Sequence, residues 1–476
     1  MKFKIERRLT AEEAAAFRIV KKLQEAGFET YIAGGAVRDL YLKKEAHDID
    51  IATAAKPGDI KKIFHESYDR GKAFGVKAIK INDFEFEVAT FRVDIGTADH
   101  RRPTRVEFTS AENDAKRRDF TINALFYDPT KLEIIDFVGG LEDLKNKIIR
   151  FVGLAKWRID EDYLRMLRAV RFTHRLGFAL DFEAARAIKK EAKNINQISA
   201  ERIREELSAI ICGPHPAHAL MQMESLGLLK EILPELIQLR GVKQPPEFHS
   251  EGDVWIHTLM AMEKLKNPSA SVPSAPKEPP LGAELAWTVL LHDIAKPQTQ
   301  GFRDHPKSKI TFFEHDEESA KMARQILNRL KFSREFIDAC AWAISQHMRI
   351  IHAFRGMSER KQKRLFTYPH IQLLLDLTRV DLASSLRPDL KADLSMYKRA
   401  VKKKEKFEKE ATDEEKQQVK KFTLITGKDI MEILKIPAGP KVGEIKTKIE
   451  ASFLDDKIST RDEALKMIKE FHSDES

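Results

Sequence analysis

Apolar residues recur every three or four positions from Ala11 to Ala26, the spacing of an amphipathic helix. Ile49-Asp-Ile51 and Phe84-Glu-Phe-Glu-Val88 alternate instead, as half-buried strands do. Tyr31-Ile-Ala ends a further predicted strand, and Gly34-Gly35 behind it opens a helix. From about residue 155 onward the periodicity is almost wholly helical. Two stretches interrupt it. Asn267 to Pro280, crowded with Pro, Ser and Ala, has the composition of an exposed loop, and Lys402 to Lys421 is a charge-dense run expected to form a solvated helix or connector. Phe422 to Phe471 reads as a small helical tail. The pattern predicts an α+β protein: an N-terminal head with a small mixed β-sheet and helices, followed by an all-α body. Expected divisions fall at 1–150, 151–240, 241–400 and 401–476.

Composition narrows the classes. With 476 residues, 42% hydrophobic and 33% charged, the chain is long enough to bury a sizeable core, which excludes a disordered or low-complexity protein. No apolar run approaches the roughly 18 residues a membrane span needs. The start, Met1-Lys-Phe-Lys-Ile-Glu-Arg-Arg, lacks a signal-peptide stretch, and Cys212 and Cys340 are too few for a disulfide framework, so a cytoplasmic protein is expected. The net charge of +9 is compatible with a polyanionic partner and equally with an ordinary solvated surface.

Glycines at a strand-to-helix turn let backbone N–H groups approach a phosphate, which makes Gly34 and Gly35 candidates for nucleotide contact. Downstream, a period of two puts Asp48 and Asp50 on one face while Ile49 and Ile51 enter the core. Paired carboxylates suit a Mg²⁺ ion shared with substrate phosphates, and an exposed acidic strand edge is the alternative. Glu87 is the candidate third carboxylate of a two-metal arrangement, with Glu85 on the same face. In Glu161 to Phe172, Asp162, Arg165, Arg168 and Arg171 recur every three residues along one helix face, and Tyr163, Leu167 and Val170 turn toward a core. An acceptor-only carboxylate beside a donor-only guanidinium matches the exocyclic amine and ring nitrogen of cytosine or adenine, and rejects uracil and guanine. A plain surface salt bridge is the competing explanation.

These residues carry a resemblance. Gly34-Gly35-x-Val37-Arg38-Asp39 followed by Asp48-x-Asp50 resembles the nucleotidyltransferase superfamily. Arg117-Arg118-Asp119-Phe120-Thr121-Ile122-Asn123-Ala124-Leu125, Asp128-Pro129, Asp136-x-x-Gly139-Gly140 and Arg150-x-Val152-Gly153 narrow it to the class II group of CCA-adding enzymes and bacterial poly(A) polymerases. Asp99-His100-Arg101-Arg102-Pro103 resembles that group's flexible loop, with His100 where a glycine is usual, and Gly71 to Ala78 is closer to the CCA-adding branch than to the poly(A) branch. The resemblance implies transfer of CTP and ATP to the 3′ end of tRNA. It implies Asp48 and Asp50 as catalytic and Mg²⁺-holding residues, with Glu87 as the candidate third catalytic carboxylate or a surface glutamate, and Gly34, Gly35, Arg38, Arg118, Asp119, Asn123, Asp162, Arg165, Arg168 and Arg171 as nucleotide-binding ones. Asp99, Arg101 and Arg102 belong to the flexible loop.

A second constellation follows in the body. His257, His292-Asp293, His315, His347 and Asp381 stand in the order of the HD phosphohydrolase superfamily, behind the segment Glu247 to His257. Imidazole with carboxylate suits Ni, Mn, Co, Fe or Zn better than Mg²⁺ alone. By this resemblance the centre hydrolyses cyclic phosphates or phosphomonoesters at RNA ends, and a domain that only supports the fold is the alternative. Lys441 and Lys446 of the tail are candidates for tRNA phosphate contact, and equally for ordinary surface lysines. The competing functions are a poly(A) polymerase, a CC- or A-adding specialist, and an HD hydrolase with an inactive RNA-binding head. Monomer and homodimer are equally open.

Overall fold

Thr10 closes a capping box with Glu13 and so starts the helix Ala11–Glu25, which buries Ala15, Ala16, Ile19, Val20 and Leu23. Glu13 is itself enclosed, accepting from Arg7 and from the Ala46 N–H at 3.1 Å. In the computed structural model the described residues are 1–70, 75–97, 103–265, 282–303, 309–352, 356–366, 368–410, 425–437, 439–454, 457–458 and 460–470. The loop at 267–280, the motif residues Gly71 to Phe74, and Asp99, His100, Arg101 and Arg102 lie outside them. Two compact units result, one built on Met1–Ser199 with Ser225–Glu231, the other on Ala200–Glu224 and the described residues from Ile232 onward.

The first unit holds a mixed sheet of seven strands. In chain order the strands are β1 (Thr30–Ala33), β2 (Asp50–Thr53), β3 (Tyr68–Asp69), β4 (Val76–Ile81), β5 (Phe84–Thr90), β6 (Arg92–Thr97), β7 (Pro103–Phe108), β8 (Phe126–Asp128) and β9 (Glu133–Ile135). The sheet order is β3-β4-β5-β2-β1-β8-β9, and β6 and β7 form a separate antiparallel ribbon. Only β2 and β5 run parallel within the sheet; its other pairs are antiparallel. Tyr31, Phe91 and Phe126 pack on the buried side, the last two edge to face at 5.9 Å.

The second unit is helical, with Val254–Glu263, Ala283–Leu291, His315–Arg329, Arg334–His352 and Ile371–Ser384 at its centre. Trp342 stacks on Tyr368 at 4.4 Å in its core. The body is not purely helical: Gln300–Arg303 pairs with Lys309–Phe312, and in the first unit Ile148–Ile149 pairs with Ala179–Leu180. Strands of two to four residues are too short to show a period of their own. Over its described part, 402–410, the charge-dense run belongs to the helix Ser395–Glu410, which buries Ala400 and Phe407. The tail helices Gly427–Leu434, Pro440–Leu454 and Arg461–Glu470 share a core of Ile430, Val442, Ile449, Phe453 and Ile468. Lys446, a candidate phosphate contact or ordinary surface lysine, is paired within the protein. Its Nζ lies 2.8 Å from Asp338, a carboxylate shared with Arg324. Among the described residues, no helix is long and apolar enough to cross a membrane.

Candidate functional site

In the head, β1 runs into Gly34, whose φ of 72° starts the helix Gly35–Tyr41. A Cβ there would stand 3.0 Å from Arg118 Nη1, 3.8 Å from the Asn123 carbonyl and 4.0 Å from Asp50 Oδ2. Glycine is therefore needed both for the backbone angle and for the close approach. Asp50 is the first residue of β2 and faces Ala33 across the β1 pairing. Asp48 precedes the strand, in a bend with φ of 50°, so the predicted two-carboxylate strand is shorter than expected. The alternation survives: Asp48 and Asp50 are exposed, and Ile49 and Ile51 are buried. The parallel register Ile51↔Val88 brings Glu87 alongside Asp50 on the same sheet face. Glu87 also lies 3.3 Å from Arg70, which holds Glu85 at 2.6 Å. Surrounding protein pushes the Asp50 carboxyl up to about 6; Arg118 opposes this, and the charges of Glu87 and Asp48 add to it.

The predicted nucleotide residues are joined by hydrogen bonds. Arg118 donates to Asp114 at 3.0 Å and to the Asn123 carbonyl at 3.3 Å. Asn123 donates to Asp119 at 3.3 Å, and Asp119 receives both Nε (3.0 Å) and Nη2 (2.7 Å) of Arg168. Burial would raise the Asp119 carboxyl, but the neighbouring Arg168 and Arg165 charges hold it below the usual carboxylate range. Arg38 donates to Asn123 at 2.6 Å and to Asp39 at 2.8 Å, and is only 3% exposed. Its guanidinium is enclosed between Asp39 and Asn123 instead of being presented to solvent.

The helix expected to read the base differs from expectation in its boundaries. One helix, Ala155–Glu161, ends before Asp162, which is extended at φ −155°, and a new helix starts at Arg165. The break is local chemistry: the Asp162 side chain accepts the Leu164 N–H at 3.1 Å, an alternative to continuing the helix. Asp162, Arg165 and Arg168 are nonetheless half-buried, while Tyr163, Leu167 and Val170 are buried. Arg165 donates to Glu161 at 2.6 Å and to the Arg158 carbonyl at 2.9 Å. Arg171 leaves the series, buried with its guanidinium over the Phe172 ring at 4.9 Å.

In the second unit the six predicted ligands converge as two triads, His257–His292–Asp381 and Asp293–His315–His347. His257 Nε2 lies 3.2 Å from Asp381, His292 Nε2 is 3.3 Å from Asp293, and the Nε2 atoms of His315 and His347 are 3.2 Å apart. Each opposite ring nitrogen is anchored: Nδ1 of His292, His315 and His347 to the carbonyls of Val289, Phe312 and Ile344 at 2.8, 3.0 and 2.7 Å. Nε2 of His257 and His292 and Oδ1 of Asp293 are buried with no hydrogen-bond partner. Orphaned, inward-facing imidazole and carboxylate atoms fit a divalent metal. Burial pushes the His257 imidazole down, but Asp381 and Glu251 outweigh it and carry it up to about 9. His315 is pushed down to about 4, burial being the main cause.

Residues outside the predicted ligand set belong here too. Glu251, fully buried, accepts from Nδ1 of His257 at 2.9 Å and of His249 at 2.8 Å. Lys296 pairs with Asp293 at 2.7 Å and donates to Gln244 at 2.8 Å. The only signal in the sequence was a second histidine and an acid just upstream of His257.

Comparison with known proteins follows this geometry. Residues 30–150 match the poly A polymerase head domain, 177–239 the "Probable RNA and SrmB- binding site of polymerase A", and 254–384 the HD domain. The CCA-adding enzyme of Lactobacillus delbrueckii subsp. bulgaricus is 43% identical over 225 residues, 47% of this chain and 57% of that protein. That of Lactiplantibacillus plantarum is 37% identical over 268 residues, 56% of this chain and 66% of its own length. The chain thus spans little more than half the length of the first of these curated relatives. The Bacillus stearothermophilus CCA-adding enzyme in complex with CTP matches with a TM-score of 0.61 at 26% identity, covering 98% of this chain and 99% of that one. The Thermotoga maritima CCA-adding enzyme complexed with tRNA shares the fold, with a TM-score of 0.52 at 20% identity over 98% of both chains.

Proposed function

We propose, from the chain's membership of the class II nucleotidyltransferases that comprise CCA-adding enzymes and poly(A) polymerases, that it builds or repairs the 3′-terminal CCA of tRNA. It uses CTP and ATP without a nucleic-acid template. The observation that carries this is the continuous polar wall from Gly34 through Arg118 and Asn123 to Asp119 and Arg168, beside the carboxylates of Asp48, Asp50 and Glu87.

The RNA 3′-hydroxyl attacks the α-phosphate of the bound nucleotide and pyrophosphate leaves. Asp48 and Asp50, assisted by Glu87, would hold Mg²⁺, which when bound activates that hydroxyl and neutralises the triphosphate. Gly34 and Gly35 admit phosphate to the backbone, and Arg118 offers it a guanidinium held in place by Asp114. Arg168 is oriented by Asp119, and Arg38 keeps Asn123 in position. Asp162 and Arg165 select cytosine and adenine by their acceptor and donor edges, with Arg171 packed in the core beneath the helix Arg165–Leu176. Asp99, Arg101 and Arg102, outside the described residues, are assigned to the family's flexible loop by resemblance alone. The division at 1–150, 151–240, 241–400 and 401–476 separates head, base-recognition neck, HD domain and tRNA-contacting tail. The setting is the cytoplasm.

The second centre hydrolyses 2′,3′-cyclic phosphates or phosphomonoesters at RNA ends. His257, His292, Asp293, His315, His347 and Asp381 would hold Ni, Mn, Co, Fe, Zn or Mg²⁺, which when bound supplies a hydroxide nucleophile at neutral pH. Its support is the pair of orphaned histidine nitrogens facing the carboxylates of Asp381 and Asp293.

Labelled CTP, ATP, UTP and GTP offered to tRNA transcripts ending before CCA, after C and after CC test the transfer reaction, with a generic RNA as control. Two C additions and one A, on tRNA only, are expected. Long A tails on the generic RNA would indicate a poly(A) polymerase, addition at one stage only a specialist. No incorporation with Mg²⁺ would leave the HD centre as the working site.

A further inference from the structure

Glu251 precedes and Leu386 follows the matched HD region, residues 254–384, yet the two meet. The Leu386 N–H donates to Glu251 Oε2 at 2.8 Å, and the Ser250 N–H returns a bond to the Leu386 carbonyl at 2.8 Å. Leu386 stands on the chain that leaves the helix Ile371–Ser384, just past Asp381, the last of the six ligands. The other oxygen, Oε1, receives Nδ1 of His257, the first of them, at 2.9 Å. His257 Nε2 then faces Asp381 at 3.2 Å and is without a hydrogen-bond partner. One fully buried carboxylate therefore touches the first ligand's ring and the backbone beyond the last ligand's helix.

We propose that Glu251 is a positioning residue of the HD metal centre, fixing His257 as the Nδ1–H tautomer so that Nε2 is the metal-binding atom, and tying that ring to the chain beyond Asp381. The inference rests on the proposed metal-holding role of the six residues. A carboxylate is the group this place requires. It accepts at both oxygens, whereas an amide of the same size would turn an NH₂ toward either the His257 N–H or the Leu386 N–H. The functional module then extends beyond the matched domain at both ends.

Calorimetric titration of the metal-stripped full-length chain with Mn²⁺ and with Zn²⁺ tests this. Glu251→Gln is expected to weaken binding about 10–100-fold. Glu247→Gln, which removes the same charge from an exposed position on the same segment, leaves affinity unchanged. Equal affinity of Glu251→Gln and the wild-type chain would overturn the assignment. A measurement on the wild-type chain stands even if the variant misfolds: ¹⁵N correlation spectra of selectively labelled histidine, with His257 assigned by substitution, should show Nδ1–H and zinc on Nε2. Zinc on Nδ1 of His257 would overturn the proposal. Absence of Mn²⁺ and Zn²⁺ binding by the wild-type chain would instead sink the metal-centre assignment itself, and the role of Glu251 with it.

Discussion

Asp50 meets opposing influences: crowding by protein and the charges of Glu87 and Asp48 disfavour its ionised form, and Arg118 favours it. Its value of about 6 in the folded chain lies above the unperturbed 3.8, so the folded form holds the proton more tightly. The contribution to stability therefore falls as pH rises from 3.8 to about 6 and stays unfavourable at neutral pH. Asp50→Asn should raise the Tm of the metal-free head at pH 7 in differential scanning calorimetry. It should also abolish incorporation: metal charge stabilisation is worth several kcal/mol, or about 10³-fold in rate. A lower Tm would show that the carboxylate is already satisfied without a cation. His257 works in the opposite sense. Its raised value, about 9, gives stability that is complete below the unfolded value near 6.5 and is lost as pH climbs through 9. His315, neutral above about 4, adds nothing in that window. Calorimetric scans of metal-stripped protein should show the second unit's midpoint falling from pH 6.5 to 9, and metal affinity rising as the competing proton leaves. A flat profile would mean that His257 is neutral throughout.

Among elements, the junctions carry the chemistry. Gly34 passes β1 into a helix at a φ that other residues rarely adopt, with Arg118 against its backbone. Gly34→Ala should destabilise the head by about 1–3 kcal/mol and displace Arg118, raising KM for CTP and ATP together. Urea unfolding and steady-state kinetics check both, and unchanged KM would detach Arg118 from nucleotide binding. The motif at Asp136 to Gly140 has a structural explanation. Asp136 accepts from the N–H groups of Val138, Gly139 and Gly140 at 3.0, 2.9 and 3.0 Å, capping the helix Gly140–Asn146. A Cβ on Gly140 would overlap the Thr121 carbonyl, so this helix buttresses the turn that presents Asn123. In the tail, Lys446→Ala removes one of the cations paired with Asp338 and leaves the Arg324 pair in place. It is expected to lower the Tm of the second unit while changing tRNA affinity, measured by filter binding, by less than about twofold. A larger loss of affinity with unchanged Tm would restore Lys446 to the phosphate surface.

At the scale of the molecule, the head carboxylates belong to the first compact unit and the six HD ligands to the second. Their donor sets differ as well: oxygen alone in the head, which suits Mg²⁺, and imidazole with carboxylate in the body, which suits transition metals. The two proposed activities should therefore separate. Asp50→Asn should lose nucleotide incorporation and retain hydrolysis of RNA bearing a 2′,3′-cyclic phosphate, and His257→Ala the reverse. After chelation, Mg²⁺ should restore the first activity, and Mn²⁺, Ni²⁺ or Zn²⁺ the second. Loss of both activities in either variant would mean that one centre performs both reactions.

What the sequence determined by itself were features set by short-range periodicity and by residue type. The alternation at Asp48 to Ile51 survives even where the strand is shorter than expected, because Ile49 and Ile51 must be buried and the carboxylates cannot be. The glycine turn and the clustering of the six candidate HD ligands were legible because few other residue types suit those places. The break at Asp162 turned on a single side-chain-to-backbone bond, which periodicity does not register. The enclosure of Arg38 depends on Asn123, 85 positions away, and the pairing of Lys446 on Asp338, 108 positions away. Glu251 acquires its partners from a neighbouring helix and from Leu386, 135 residues downstream. A charged side chain reads the same whether it faces water or a partner. Only the folded chain, by placing a complementary group within hydrogen-bonding distance or leaving solvent there, decides which it does.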